Sequence, residues 1–193
     1  MIRTARPDEV ERLISIEQAA ALRFLDHGHP GLAAAAPAAP DVYRALLYGR
    51  RTLVATDGLD QPVGFAITEK LDRTEWLCEL SVHPDHGRRG IGGALLAAVV
   101  GSALARGCDN VGLSTFREVP FNAPFYARHG FVEAPLDRVA PPLARRFMDE
   151  VPAGIDPLER VLMVRMLRPR TSPTAVHDAA CPIASQQKRA TVR

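Results

Sequence analysis

The chain has 193 residues, enough for one domain with a buried core that needs neither disulfides nor a structural metal. Hydrophobic residues at 47% and charged residues at 24% describe a soluble globular protein, and a net charge of +2 gives no reason to expect a nucleic-acid partner. The charge is uneven: beyond Leu167, five basic residues (Arg168, Arg170, Lys188, Arg189, Arg193) face only Asp178, so this stretch carries +4 and the rest −2. Three cysteines, Cys78, Cys108 and Cys181, have no metal-ligand spacing and suit reduced thiols in a cytoplasm. Asp8, Glu9 and Glu11 stand where a signal peptide needs an apolar run. The longest uncharged stretch, between Arg89 and Arg106, is shorter than the roughly 20 apolar residues of a membrane helix and reads as a buried soluble helix.

In chain order, Ile2 to Ala5 reads as a strand, and Pro7-Asp8-Glu9 opens a helix that ends near Ala21, with Val10, Leu13, Ile14 and Glu17 at helical spacing. From Arg23 to Pro40 the Ala/Pro-rich sequence suits a mobile loop or short helix. Asp41 is placed to cap a helix reaching Tyr48, and Thr52–Thr56 and Pro62–Thr68 read as strands across a turn at residues 57–60. Glu75–Val82 is the next strand, stopped by Pro84, whose ring nitrogen has no hydrogen to donate. Ile91, Leu95, Leu96, Val99, Val100, Ala103 and Leu104 form one broad helical stripe, stopped by Gly107. After a strand at Val111–Thr115, Asn122 is placed to cap a short helix closed by Gly130. A strand at 131–133, a helix at 141–150 and a strand at 160–167 complete the domain, 1–167. Residues 168–193, rich in turn-formers and basic side chains, read as a flexible tail. Strands in a run before the central helix and alternating with helices after it predict a three-layer α/β fold with a mixed sheet.

The most informative stretch is Leu80-Ser81-Val82-His83-Pro84-Asp85-His86-Gly87-Arg88-Arg89-Gly90-Ile91-Gly92, an apolar strand running through a basic glycine-rich turn into the central helix. The first amides of a helix lack intrahelical acceptors and lie at the positive end of its dipole, so such a turn is suited to a diphosphate. No Gly-Lys-Ser/Thr is present for a P-loop. A nicotinamide fingerprint fits badly, because Leu95 takes the third glycine position and Asp109 precedes the following strand instead of ending it.

Gly87-Arg88-Arg89-Gly90-Ile91-Gly92 after Leu80-x-Val82-x-Pro84 resembles motif A of the GNAT superfamily of acyl-CoA-dependent N-acetyltransferases, with Gly87 where that family usually has Gln or Arg. Asn122 to Phe131, an Asn with a Tyr four residues on and then x-x-x-Gly-Phe, is similar to the family's later motif, in the expected order and separation. The resemblance implies a GNAT-like fold in which a central mixed, twisted β-sheet is flanked by helices. It further implies acetyl-CoA as cosubstrate, with its diphosphate on Gly87, Arg88, Arg89, Gly90 and Gly92 and its pantetheine arm paired with the backbone of Leu80 and Val82. Asn122 would hold the pantetheine amide, and an amide near Leu80 would stabilise the oxyanion. Tyr126, with a reference pKa of about 10 against about 8.5 for a thiol, is the candidate general acid for the departing thiolate. Glu79 is the candidate base, acting through water. Direct attack by the amine requires no side-chain nucleophile and no metal.

Plainer readings stand beside these. On position alone Tyr126 is as well explained as a core aromatic, and Glu79 as half of a structural ion pair. Arg88 and Arg89 suit a solvated loop, although a helix start favours phosphate contact. His83 and His86 suit a solvated turn, Trp76 suits sheet packing, and Cys78 a core thiol. Asp26, His27 and His29, and the Phe116–Phe121 link with Arg117 and Glu118, are candidates for the substrate mouth. The expected acceptor is a small-molecule amine; the alternatives are a protein N-terminus or lysine, or a non-catalytic acyl-CoA-binding regulator. A monomer or homodimer without nucleic-acid or membrane partners is expected.

Overall fold

The computed structural model describes residues 1–37 and 39–167; the tail expected at 168–193 lies outside the described residues. Within the described residues, seven strands form one sheet: β1 (Ile2–Thr4), β2 (Arg51–Thr56), β3 (Pro62–Leu71), β4 (Thr74–Val82), β5 (Asn110–Phe116), β6 (Val132–Glu133) and β7 (Arg160–Met166). Their order across the sheet is β1-β2-β3-β4-β5-β7-β6, and β4 with β5 is the parallel pair among antiparallel neighbours. The mixed sheet follows from the connections: tight turns make β2, β3 and β4 antiparallel, and the long helix between β4 and β5 is the crossover a parallel pair needs.

Among the described residues, six α-helices cover the sheet: α1 (Val10–Ala21), α2 (Pro30–Ala33), α3 (Pro40–Gly49), α4 (Ile91–Ala105), α5 (Ala123–Arg128) and α6 (Pro141–Asp149). On one face, Leu95, Leu96, Val99 and Ala103 of α4 and Ala123 and Tyr126 of α5 pack on Leu53, Ala55, Ala66, Leu77, Val111, Leu113 and Val161. On the other, Val10, Leu13 and Ile14 of α1 and Tyr43 of α3 meet Val54, Phe65 and Ile67, while Leu143 and Phe147 of α6 meet Trp76, Leu162 and Val164. Alternate residues of β2 and β3 thus serve opposite layers, as the period of two requires. A fully buried Glu75 joins the central strands to the end of α4, accepting from Arg106 at 2.7 and 2.9 Å and from Thr68 at 2.6 Å.

The expected segments agree with the observed ones to within a few residues. Leu22–His27 is a 3-10 turn followed by α2, where the sequence suggests a mobile loop or short helix. Asp41 does not cap α3: Ala39 holds the cap position, Pro40 begins the helix and Asp41 lies in its first turn. Among the described residues, no helix is long and apolar enough to cross a membrane.

Candidate active site

Two departures from regular pairing open the middle of the sheet. Residues Thr74 to Leu77 of β4 pair with Asn110 to Leu113 of β5, and the ladder stops there. Over the same stretch the β3–β4 register shifts, so that Ile67 faces Glu79 while Thr68 faces Leu77, and Cys78 is the extra residue of a bulge. Leu77 and Leu80, three apart, therefore both reach the α4 layer, and Glu79 is turned toward the layer of α1 and α3. Above the bulge the His83 amide donates to Val63 of β3 at 2.9 Å, which assigns the backbone groups of residues 83, 81 and 79 to the β3 side by strand alternation. The N–H and C=O groups of Leu80 and Val82 then face the wedge from which β5 has withdrawn.

At the wide end of this wedge lies the glycine turn. A 3-10 turn at Pro84–His86 leads to Gly87, then Arg88 with φ +58° and Gly90 with φ +76°, the cap residue of α4. Left-handed residues flanking Arg89 turn successive amides into a concave nest at the helix N-terminus, an arrangement suited to anions. A Cβ at Gly90 would meet no atom within 4 Å, so the cradle is open above it; a Cβ at Gly87 would lie 3.0 Å from the Pro84 carbonyl oxygen. The 3-10 turn thus gives a reason for glycine at the position where the resemblance favours Gln or Arg. Arg88 and Arg89 are exposed, and Arg23 is close enough to feel the charge of Arg88.

From the α4 side, α5 brings Asn122 and Tyr126 to the wedge. Asn122 occupies the cap position of α5, but its side chain makes no capping hydrogen bond, which leaves the carboxamide for a ligand. Tyr126 is 9% exposed and packed edge-on against Phe125 and Phe131. Burial, and after it the negative charge of Glu79, hold its phenol well above its ordinary pKa, against the opposing pull of Arg160. It is therefore both a core aromatic and a protonated donor within electrostatic reach of Glu79.

The opposite wall is acidic. Glu79 is half-buried and is pushed up to about 7 by burial and then by the charge of Glu17; the Ser81 hydroxyl, donating at 2.6 Å, and the Leu80 amide act the other way. Glu17 of α1 is itself raised by burial, with the hydroxyl of buried Tyr43 opposing that rise. Across from these acids stands Arg160, which opens β7 opposite Phe116, lies 4.7 Å over the Phe116 ring and donates from Nη2 to Ser114 Oγ at 2.7 Å. Cys78 beside the site is pushed up to about 11 by burial, so it is a thiol at neutral pH and a poor nucleophile. Trp76 is fully buried, and its Nε1 donates to Glu150 at 2.8 Å.

The 3-10 turn after α1 closes over this wall. Phe24 packs on Phe116 and Phe121 at centroid distances of 5.5 and 5.2 Å, His29 on Phe116 at 4.4 Å, and Arg23 over Phe121 at 3.8 Å. His27 also meets Phe121, whereas Asp26 is exposed. A cleft of about 260 Å³ lies beneath, lined by His29, Phe116, Arg117, Glu118, Val119, Leu158 and Glu159. Another of about 310 Å³ lies at the β1–β2 edge of the sheet, against Arg6, Arg44 and Thr52. Glu79, Leu80, Val82 and Tyr126 thus lie around one wedge, with Gly87 to Gly92 at its end and Asn122 one helical turn before Tyr126. Glu17, Tyr43, Arg23 and Arg160 escape a reading by motif, since each comes from a separate segment; Glu17 shows only as a polar residue on the apolar stripe of α1.

The profile of a family described as acetyltransferase (GNAT) domain matches residues 48–133. The fold is similar to that of the ribosomal-protein-S18-alanine N-acetyltransferase from Escherichia coli, at 19% identity over 86% of this chain and 93% of that one, with a TM-score of 0.62. It is also similar to the PaiA N-acetyltransferase from Thermoplasma acidophilum in complex with coenzyme A (14% identity, 86% and 98% covered, TM-score 0.60). A GCN5-related N-acetyltransferase structure from Rhodopseudomonas palustris shares 25% identity over 86% of this chain and 95% of that one, with a TM-score of 0.64.

Proposed function

Because the chain belongs to the GNAT superfamily of acyl-CoA-dependent N-acetyltransferases, we propose that it moves an acetyl group from acetyl-CoA to the primary amine of a small molecule by direct attack. The observation that carries this reading is the wedge itself, with Tyr126 on one wall, Glu79 on the other and the glycine nest at its end. The diphosphate would rest on the amides from Gly87 to Gly92 with Arg88 and Arg89 beside it, and the pantetheine arm would add as a strand to Leu80 and Val82. Asn122 would take the pantetheine amide. Coenzyme A in the complex of the Thermoplasma relative supports this class of cosubstrate.

The acceptor enters from the acidic wall. A lysine-like amine, with a pKa of about 10.4, is protonated at neutral pH, and removing its proton costs about 4 to 5 kcal/mol. A carboxylate titrating at about 7 is far better matched to that task than one at the ordinary 4.5. The nitrogen attacks the thioester carbonyl while Glu79, directly or through water, takes its proton; the C–S bond then breaks and Tyr126 protonates the departing sulfur. The two groups are coupled: once Glu79 is neutral, the charge that helps hold Tyr126 above its ordinary pKa is gone, and the phenol becomes a better acid. Protonation also loosens the hold of the carboxylate on the Leu80 amide, which is then available to the oxyanion.

The test is release of free CoA from acetyl-CoA in the presence of a panel of small amines, with Tyr126→Phe as control. Turnover with small amines that falls in the variant supports the reading. Turnover confined to peptides assigns the enzyme to protein acetylation, and acetyl-CoA binding without any CoA release identifies a non-catalytic sensor.

A further inference from the structure

Arg160 is a charged group on the acceptor side that the mechanism above leaves unused. Its Nη2 has the Ser114 hydroxyl, but its Nε is buried with no hydrogen-bond partner. Among the described residues, no carboxylate lies within 4.0 Å of its guanidinium. Other half-buried arginines on this face are paired: Arg50 with Glu69 at 3.2 Å, and Arg146 with Glu69 at 3.2 Å and Glu150 at 2.8 Å. Glu150, Glu79 and Tyr126 reach Arg160 only through longer-range charge, while burial acts against its ionised form. A desolvated cation without a counter-ion is unfavourable in an apolar wall, and the planar fork of arginine matches the two oxygens of a carboxylate.

The site therefore has two ends of opposite character. Glu17 and Glu79 present acid to an incoming ammonium group, and Arg160, placed over the Phe116 ring and steadied by Ser114, presents donors without an anion. We propose that the acceptor is a zwitterion of the amino-acid class, whose carboxylate is bound by Arg160 while its amino group is delivered to Glu79 and the thioester. This rests on the acetyl-transfer reading and deepens it. The reaction balances as before: the N–C bond forms, the C–S bond breaks, the amine proton passes to Glu79 and Tyr126 protonates the sulfur.

The experiment compares matched acceptors. Each of a panel of L-amino acids is assayed for CoA release beside its α-amide and its decarboxylated amine, with the wild-type protein, Arg160→Gln, Arg160→Lys and Ser114→Ala. The quantity read is the ratio of kcat/KM for the acid to that for its partners without a carboxylate. In the wild type this ratio exceeds one for the preferred side chain. In Arg160→Gln it falls by about 10- to 100-fold, the loss of a charge-assisted pair. Arg160→Lys restores part of it, and Ser114→Ala, which removes only the steadying hydroxyl, lowers it in the same direction by less. Wild-type ratios at or below one overturn the proposal. So does a loss in Arg160→Gln that is equal for acids and amides, which would put Arg160 on the thioester or in the fold. Retained acetyl-CoA binding with no CoA release from any amine overturns the transfer reading itself, and this inference with it.

Discussion

Replacing Glu79 by Gln keeps the shape of the side chain and removes its ionisation, and the structure assigns that change a sign and a size. In the fold Glu79 titrates at about 7 instead of the ordinary 4.5, first because it is buried and next because Glu17 is close. A group whose folded pKa is raised holds its proton more tightly in the native state than in the unfolded chain. Its contribution to stability is complete below about pH 4.5 and is lost as the pH rises through 7. The full swing is the interval between 4.5 and about 7 multiplied by 1.36 kcal/mol per pH unit, or about 3 kcal/mol. Glutamine resembles the protonated carboxyl, so the variant should match the wild type near pH 4 and exceed it by about 1 to 3 kcal/mol at pH 8.5. Urea denaturation of both proteins at the two pH values measures this difference, with every other ionisation largely cancelled between them. The same carboxylate should set the pH dependence of turnover: wild-type kcat/KM rises with a midpoint near 7, and in Glu79→Gln the rise disappears as the rate falls by about 10²- to 10⁴-fold. A stability difference that is flat with pH would refute the burial argument. An unmoved pH-rate profile would refute the role as base.

Further consequences are checked by similar means. Glu17→Gln removes the charge that helps to raise Glu79, so the midpoint of the wild-type pH-rate profile should move below 7, as a pH series with one fixed amine would record. Tyr126→Phe should lower turnover by about 10²-fold or more while changing the dissociation constant of acetyl-CoA little, as calorimetry and steady-state kinetics together would resolve. Gly90→Ala places a Cβ at φ +76°, a strain of about 1 to 2 kcal/mol at the phosphate nest, and should weaken acetyl-CoA binding more than it lowers the melting temperature. Glu75→Ala strips the fully buried carboxylate from Arg106 and Thr68 and should cost about 3 to 5 kcal/mol in chemical denaturation.

What a sequence reading captures here is whatever repeats or punctuates. The α4 stripe follows the helical period, the glycine turn interrupts it, and Pro84 and Gly130 end their elements through local chemistry that depends on no distant contact. Asn122 and Tyr126 are found because their spacing is internal to one short helix. The bulge at Cys78 escapes, since Leu77-Cys78-Glu79-Leu80 contains neither Gly nor Pro and reads as an unbroken strand; only the register with β3 reveals the extra residue. Glu17, Tyr43 and Arg160 escape for a different reason. Each looks ordinary on its own segment and acquires meaning only when α1, α3 and β7 meet over the wedge. The 22–33 segment shows no periodicity because its order comes from Phe24 and His29 packing on Phe116, a contact across some ninety residues.

The bulge and the wedge account for one another, and together they explain why Tyr126 and Glu79 approach each other from opposite layers. Up to Leu77, β4 is a central strand with a neighbour on each side, and its backbone groups are consumed by β3 and β5. The extra residue at Cys78 reverses the alternation, so that Leu77 and Leu80 both face α4 and Glu79 is delivered to the other layer. Beyond it β5 continues with β7 alone, and the Leu80 and Val82 backbone is left facing open space at the depth where Tyr126 arrives from one layer and Glu79 from the other. A regular strand would satisfy those amides with β5 and set the two side chains apart. The fold thus leaves the Leu80 and Val82 backbone without a strand partner on the β5 side, between Tyr126 in one layer and Glu79 in the other.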